Sequence, residues 1–170
     1  MNADDLKALQ APIKERYRQS PEAARIAVRA RGTLGANITC SLDTPRGPVV
    51  AGLHPAAGGS GLEACSGDLL LESLVACAGV TLNAVATALG IGFRSATIEA
   101  GSEFDMRGTL GMAKEVPVGL GAIQLEFILD TDATDEQLAT LLRLTERYCV
   151  IYQTLSQPPA MTLARRRATE

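Results

Sequence analysis

Four cysteines and one histidine are the residues of this 170-residue chain best suited to chemistry. The cysteines are Cys40, Cys65, Cys77 and Cys149, and the histidine is His54. No two cysteines form a C-x-x-C pair, and a lone histidine adds too few ligands for a structural zinc site. What remains is thiolate chemistry, in which the ionised sulfur is the nucleophile. Cys77 and Cys149 are the two candidates, because the elements around them can position a sulfur.

Cys77 falls within a long apolar stretch that predicts a helix over about 67–89, stopped by Gly90. On that helix Asp68, Glu72, Gly79 and Asn83 share a narrow stripe, and nearly everything else is apolar. Cys77 lies about 140° around from Glu72, on the apolar side. Ser73 and Thr81 sit one turn below and above it. The column reads two ways: a partly polar pocket beside a nucleophile, or a buried cysteine whose neighbouring hydroxyls bond back to the helix. Cys149 follows a predicted helix that opens at Thr134 with a capping box, Gln137 three residues on. If a new short helix starts after Cys149, its N-terminus favours a thiolate there. If the first helix continues, Cys149 joins the face of Leu138 and Leu142 as a core residue. Cys40 reads as core on an apolar strand face. Cys65 sits at the entrance of the long helix, where it is open to reaction but poorly positioned.

The remaining elements frame this pair. Residues 3–19 predict an amphipathic helix that Pro12 breaks or kinks. Residues 25–31 alternate as a half-buried strand, 32–35 turn, 37–42 alternate again, and 48–53 form a third strand. Longer strands are expected over 95–106 and 122–130, and a last short one over 160–164. Strands cluster rather than alternate with helices, so the class is α+β with antiparallel sheets. The expected division is a helical extension over 1–22 and one domain over 23–170. A helix with so thin a polar stripe must be enclosed, and one sheet covers only one side of it. Ala76, Ala78, Gly79, Ala84, Ala86 and Ala88 admit a second helix closely, so a symmetric homodimer meets both demands.

Composition excludes several classes. Net charge is −3, which gives no basic surface for a nucleic-acid backbone. Aromatic content is 4 %, without tryptophan, so no platform exists for stacking bases. The stretch 69–91 is long enough to span a membrane, but it carries Glu72 and Asn83 and lacks a flanking basic cluster, so no membrane is expected. The acidic start at 1–5 shows no secretory pattern, so a cytoplasmic protein with reduced thiols is expected.

The stretch 65–79, CSGDLLLESLVACAG, resembles the central helix of the OsmC/Ohr family, and 146–155, ERYCVIYQTL, resembles its second cysteine segment. The two cysteines are 72 residues apart, close to the family spacing, and the resemblance covers about 25–165. It implies an intertwined homodimer with antiparallel sheets wrapped around long paired central helices. It implies thiol-dependent reduction of organic hydroperoxides, with Cys77 attacking and Cys149 resolving. No bound cofactor is implied. Electrons would come from an external dithiol, a lipoyl group or a thioredoxin-type protein. The family also uses an arginine near the first hairpin, here matched by Arg31, with Arg29 as alternative. Its partner acid aligns with Gly67, so Asp68 or Glu63 must substitute. Val150 stands where the family usually has proline. The missing acid motivates the alternative of a non-catalytic small-molecule binder or redox sensor.

Overall fold

The computed structural model describes residues 1–167. Helix α1, Ala3–Gln19, opens with a capping box in which Asn2 and Asp5 satisfy each other's backbone N–H. It runs through Pro12 as one helix, where a break or kink was expected. No residue of α1 is buried, and it packs along the long helix described below. Strands β1 (Gly32–Leu34), β2 (Cys40–Leu42) and β3 (Val49–Gly52) form an antiparallel meander. Strand β4 (Ala64–Cys65) joins β3 in parallel, so this sheet is not wholly antiparallel. The second sheet pairs β5 (Ser95–Gly101) with β6 (Gln124–Asp130), antiparallel, with Ser95 opposite Asp130. The class is α+β.

Three strand expectations need correction. Residues 25–31 alternate as a strand should, yet no strand pairs with them, and Val28 is 89 % exposed. Alternation makes a strand only where a neighbour takes up its hydrogen bonds. Pairing starts instead at Gly32, inside the expected turn. The strand expected over 95–106 ends at Gly101, because Asp105 caps a short helix, α3 (Met106–Thr109). Residues 160–164 form no strand, and Arg165, Arg166 and Arg167 are exposed. The last three residues of the 23–170 division lie outside the described residues.

Helix α2, Ser66–Leu89, is the spine. Gly90 ends it in the left-handed region at φ 69°, where glycine carries no Cβ penalty. Leu74, Ala78, Leu82 and Ala86 recur every four residues and are its buried stripe. Leu82 and Ala86 form the core with Leu141, and Ile98, Phe127, Leu129 and Leu138 pack around them. By length and composition α2 is apolar enough to cross a membrane. Here it instead carries the packing of β5, of helix α4 (Asp135–Tyr148) and of helix α5 (Val150–Ser156). The opposite face is open, and Val80 on it is 73 % exposed.

Gly79 lies against β5, and a Cβ there would meet Ile98 Cδ1 at 3.5 Å, an ordinary contact. Glycine inside a helix costs about 0.5–1 kcal/mol relative to alanine. Gly79→Ala is therefore expected to raise the denaturation free energy by about that amount. A lower midpoint in urea would mean that helix and sheet cannot yield a few tenths of an ångström.

Candidate functional site: two facing sulfurs

The expected capping box starts α4. The Gln137 N–H donates to Thr134 Oγ1 at 3.3 Å, and the Thr134 N–H donates to Gln137 Oε1 at 2.9 Å. Leu141, Thr145 and Cys149 then follow at four-residue spacing and are all buried. The Cys149 N–H still bonds to the Thr145 carbonyl, but Cys149 itself turns extended, at φ −73° and ψ 107°. It closes α4 and opens α5. Both sequence readings of Cys149 thus hold in part: it lies on the buried face of α4 and also starts a new helix.

The break at Cys149 brings the two candidate sulfurs together. Cys77 is half-buried on α2, and Cys149 is 1 % exposed. Their side chains lie close enough to shift each other's ionisation, and both thiols are free. Burial pushes the Cys77 thiol up. Hydrogen bonds from the Ile151 N–H, the Cys149 thiol, the Val150 N–H and the Thr81 hydroxyl outweigh it and hold Cys77 below the ordinary cysteine value. Each of these donors favours the thiolate. Cys149 moves the other way. Burial raises it most, the Tyr152 N–H lowers it, and the facing Cys77 raises it further. Cys77 is therefore the more readily ionised sulfur of the pair.

The donors differ from the sequence expectation. The first amides of α5 were expected to serve Cys149, and those of Val150 and Ile151 also reach Cys77. Of the hydroxyl column, Thr81 bonds the sulfur, while Ser73 is exposed and does not. The Thr145 hydroxyl was not foreseen. It is buried without a hydrogen-bond partner, beside Cys149 in a small cavity. Its signal was a polar residue midway along the Leu141–Cys149 column.

More than half of the chain, residues 59–164, matches the model of the OsmC-like protein family. The chain belongs to that family. No curated protein matches it by sequence. Solved structures share the fold at low identity. An OsmC-like protein of Mycoplasma pneumoniae is 16 % identical with a TM-score of 0.65, over 78 % of this chain and 89 % of its own. The organic hydroperoxide resistance protein OsmC of Legionella pneumophila is 16 % identical with a TM-score of 0.60, over 79 % and 92 %. An organic hydroperoxide resistance protein of Elizabethkingia anophelis is 17 % identical with a TM-score of 0.54, over 79 % and 91 %.

The other residues singled out in this OsmC-like chain lie apart from the sulfur pair's bonds. Arg31 is 82 % exposed, and its Nε lies 3.9 Å from Asp43 Oδ2. Asp68 is exposed in the first turn of α2, while Glu63 accepts from the Ser60 hydroxyl. None of the three donates to or accepts from either sulfur. Gly67 is half-buried among Cys65, Leu120 and Phe104. Cys65 and Cys40 are half-buried, and His54 packs edge-on against Phe104. Among the described residues no group of three His, Cys, Asp or Glu side chains converges on a metal position.

Alkylation by iodoacetamide should report the asymmetry. The Cys77 thiolate fraction rises with pH through a midpoint below that of free cysteine, whereas Cys149 ionises above it. Cys77 is thus expected to react first across pH 5–8, with its rate reaching a plateau at lower pH than a cysteine peptide does. Thr81→Val removes one donor and should move that midpoint upward. A midpoint at or above the peptide's in the unmodified protein would sink the thiolate assignment.

Proposed function

We propose that this protein is a thiol-dependent peroxidase that reduces organic hydroperoxides, with Cys77 attacking and Cys149 resolving. The observation that carries this reading is the pairing, across α2 and the start of α5, of a sulfur shifted toward ionisation with a second sulfur shifted away from it. The Cys77 thiolate attacks the outer peroxide oxygen, the O–O bond breaks, and the alcohol leaves after taking a proton. Cys77 becomes a sulfenic acid. Cys149, deprotonated, attacks that sulfur, water leaves, and a disulfide closes. An external dithiol of lipoyl or thioredoxin type returns two electrons. The fold neighbours described as organic hydroperoxide resistance proteins support the substrate class.

The working form is a homodimer in the cytoplasm. Val28 in the unpaired arm and Val80 on the open face of α2 are apolar surface that a second copy would cover. Ile26, Leu34 and Ile38 extend the same exposed arm. Arg31 lies on that arm, and in a dimer we assign it to the sulfur pair of the second copy, with Asp68 as the nearest substitute for the absent acid. Residues 1–22, which carry α1, are an extension to the 23–170 domain, and the arm belongs to that domain.

A second reading is a non-catalytic binder or redox sensor. Gly67 favours it, since glycine carries no carboxylate at the position of the family's acid.

Free thiols should be counted under denaturing conditions before and after stoichiometric cumene hydroperoxide, with any disulfide mapped by peptide mass. The expected result is the loss of two thiols per chain, mapped to Cys77–Cys149, and none lost from that pair in Cys77→Ser. Thiols that stay free while a control peroxidase oxidises would favour the binder. Sedimentation should give twice the mass of one chain, and a monomer would remove Arg31 from the site.

A further inference from the structure

Among the described residues, one buried polar side-chain atom lacks a hydrogen-bond partner, the hydroxyl oxygen of Thr145. Thr145 is 1 % exposed. A threonine inside a helix can donate to the carbonyl four residues back, which here belongs to Leu141. That bond is not made. A buried hydroxyl left unpaired is costly, and valine would fill the same space without that cost, so the hydroxyl calls for a reason. Its neighbour one turn on is Cys149. The Cys149 N–H donates to the Thr145 carbonyl at 2.9 Å, and Cys149 keeps a helical φ of −73°. Its Cβ therefore leaves the chain where that of a helical residue would, above Thr145 and on the same face. Cβ atoms so related are about 5–6 Å apart. Threonine in a helix populates two χ1 states, and rotation between them can carry its hydroxyl to a sulfur at that distance. Both residues line a cavity of about 350 Å³, which leaves space beside them.

We infer that the Thr145 hydroxyl is a donor held in reserve for the resolving step: it turns to Cys149 Sγ as that sulfur ionises and steadies it for attack on Cys77. This rests on the peroxidase reading above. Once Cys77 is a sulfenic acid, Cys149 must attack it as a thiolate. Burial is the largest influence that keeps Cys149 protonated, and oxidation of Cys77 leaves that burial in place. The other titratable or charged groups around Cys149 are Cys77 on α2, Tyr152 on α5, and Arg143 and Glu146 on α4, while β6 contributes Leu125 and Phe127. Arg143 and Glu146 are exposed, and neither bonds to the sulfur. Thr145 is the buried donor left to use. In the step, Cys149 gives up its proton and its sulfur bonds to the Cys77 sulfur. The S–O bond breaks, and the departing hydroxyl leaves as water with that proton. Cys149 is oxidised, and the Cys77 sulfur is reduced from sulfenic acid to disulfide. Thr145 lends a hydrogen bond and loses no proton. Because its hydroxyl has no standing partner, no bond is broken to supply it.

The test is a single turnover. Protein is mixed with stoichiometric cumene hydroperoxide and sampled over time, and peptide mass gives the dimedone-trapped Cys77 and the Cys77–Cys149 disulfide. Thr145→Val keeps the shape and removes the donor. It is expected to slow disulfide closure several-fold relative to the oxidation of Cys77, so that sulfenic acid builds up. A donor to a thiolate favours ionisation, so its loss should move the pH profile of closure to higher pH. The two proteins should then converge at the alkaline end. Thr145→Ser should restore both rate and profile. The urea midpoint of Thr145→Val should stay level or rise, since no bond is lost in the resting fold. Closure that is unchanged in Thr145→Val, slowed equally at every pH, or not restored by Thr145→Ser overturns the inference. So does a lower urea midpoint, which would show that the hydroxyl already holds the fold together. Slower closure in Glu146→Gln with none in Thr145→Val overturns it too, in favour of the carboxylate. If peroxide closes no bond in the unmodified protein, the peroxidase reading falls and takes this inference with it. An unchanged rate in Thr145→Val sinks this inference alone.

Discussion

Cys149 leaves helical geometry between two helices, and the site depends on that single break. A helix that continued through it would spend the N–H groups of residues 150–152 on the carbonyls one turn back. The break makes them the first amides of α5, which have no partner within that helix. They turn to the two sulfurs instead: Val150 and Ile151 to Cys77, Ile151 and Tyr152 to Cys149. The unmet donors of a helix start are thus turned toward the two sulfurs. The asymmetry between the sulfurs follows from the balance of donors: burial raises both, the donors outweigh it at Cys77, and the facing Cys77 raises Cys149 further.

The scaffold that holds this break is thin. Its fully buried apolar side chains lie on α2 and α4, with a two-stranded sheet against one side. The four-stranded sheet stands beside this core, and its first strand is exposed throughout. Such a division leaves the sulfur pair fixed by local helix packing, while the arm that carries Arg31 is exposed.

Much of this was legible in the sequence, for identifiable reasons. The bounds of α2 follow from an unbroken apolar run ended by glycine, and the start of α4 from the Thr134–Gln137 box. β6 follows from strict alternation of Leu125, Phe127 and Leu129, whose pairing with β5 lies close in sequence. The family resemblance named both sulfurs before any geometry did. What was not legible depended on partners. Residues 25–31 alternate, but alternation does not say whether a neighbouring strand exists. Pro12 predicted a break in α1, yet the capping box of Asn2 and Asp5 and packing along α2 accompany a continuous helix. Spacing alone could not show that the amides following Cys149 would also serve a sulfur 72 residues earlier.

Val150 gives the chain something its family pattern usually lacks. A proline at the first position of a helix has no N–H to offer, and normally nothing is lost, since that donor has no partner within the helix. Here the position is valine, and its N–H points at Cys77. The chain has glycine at position 67 and a backbone donor at residue 150. A charge device that side-chain mutation can erase stands beside one written into the main chain, which almost no substitution except proline removes. The donor to Cys77 at this position is thereby carried by the main chain, where any residue but proline supplies it.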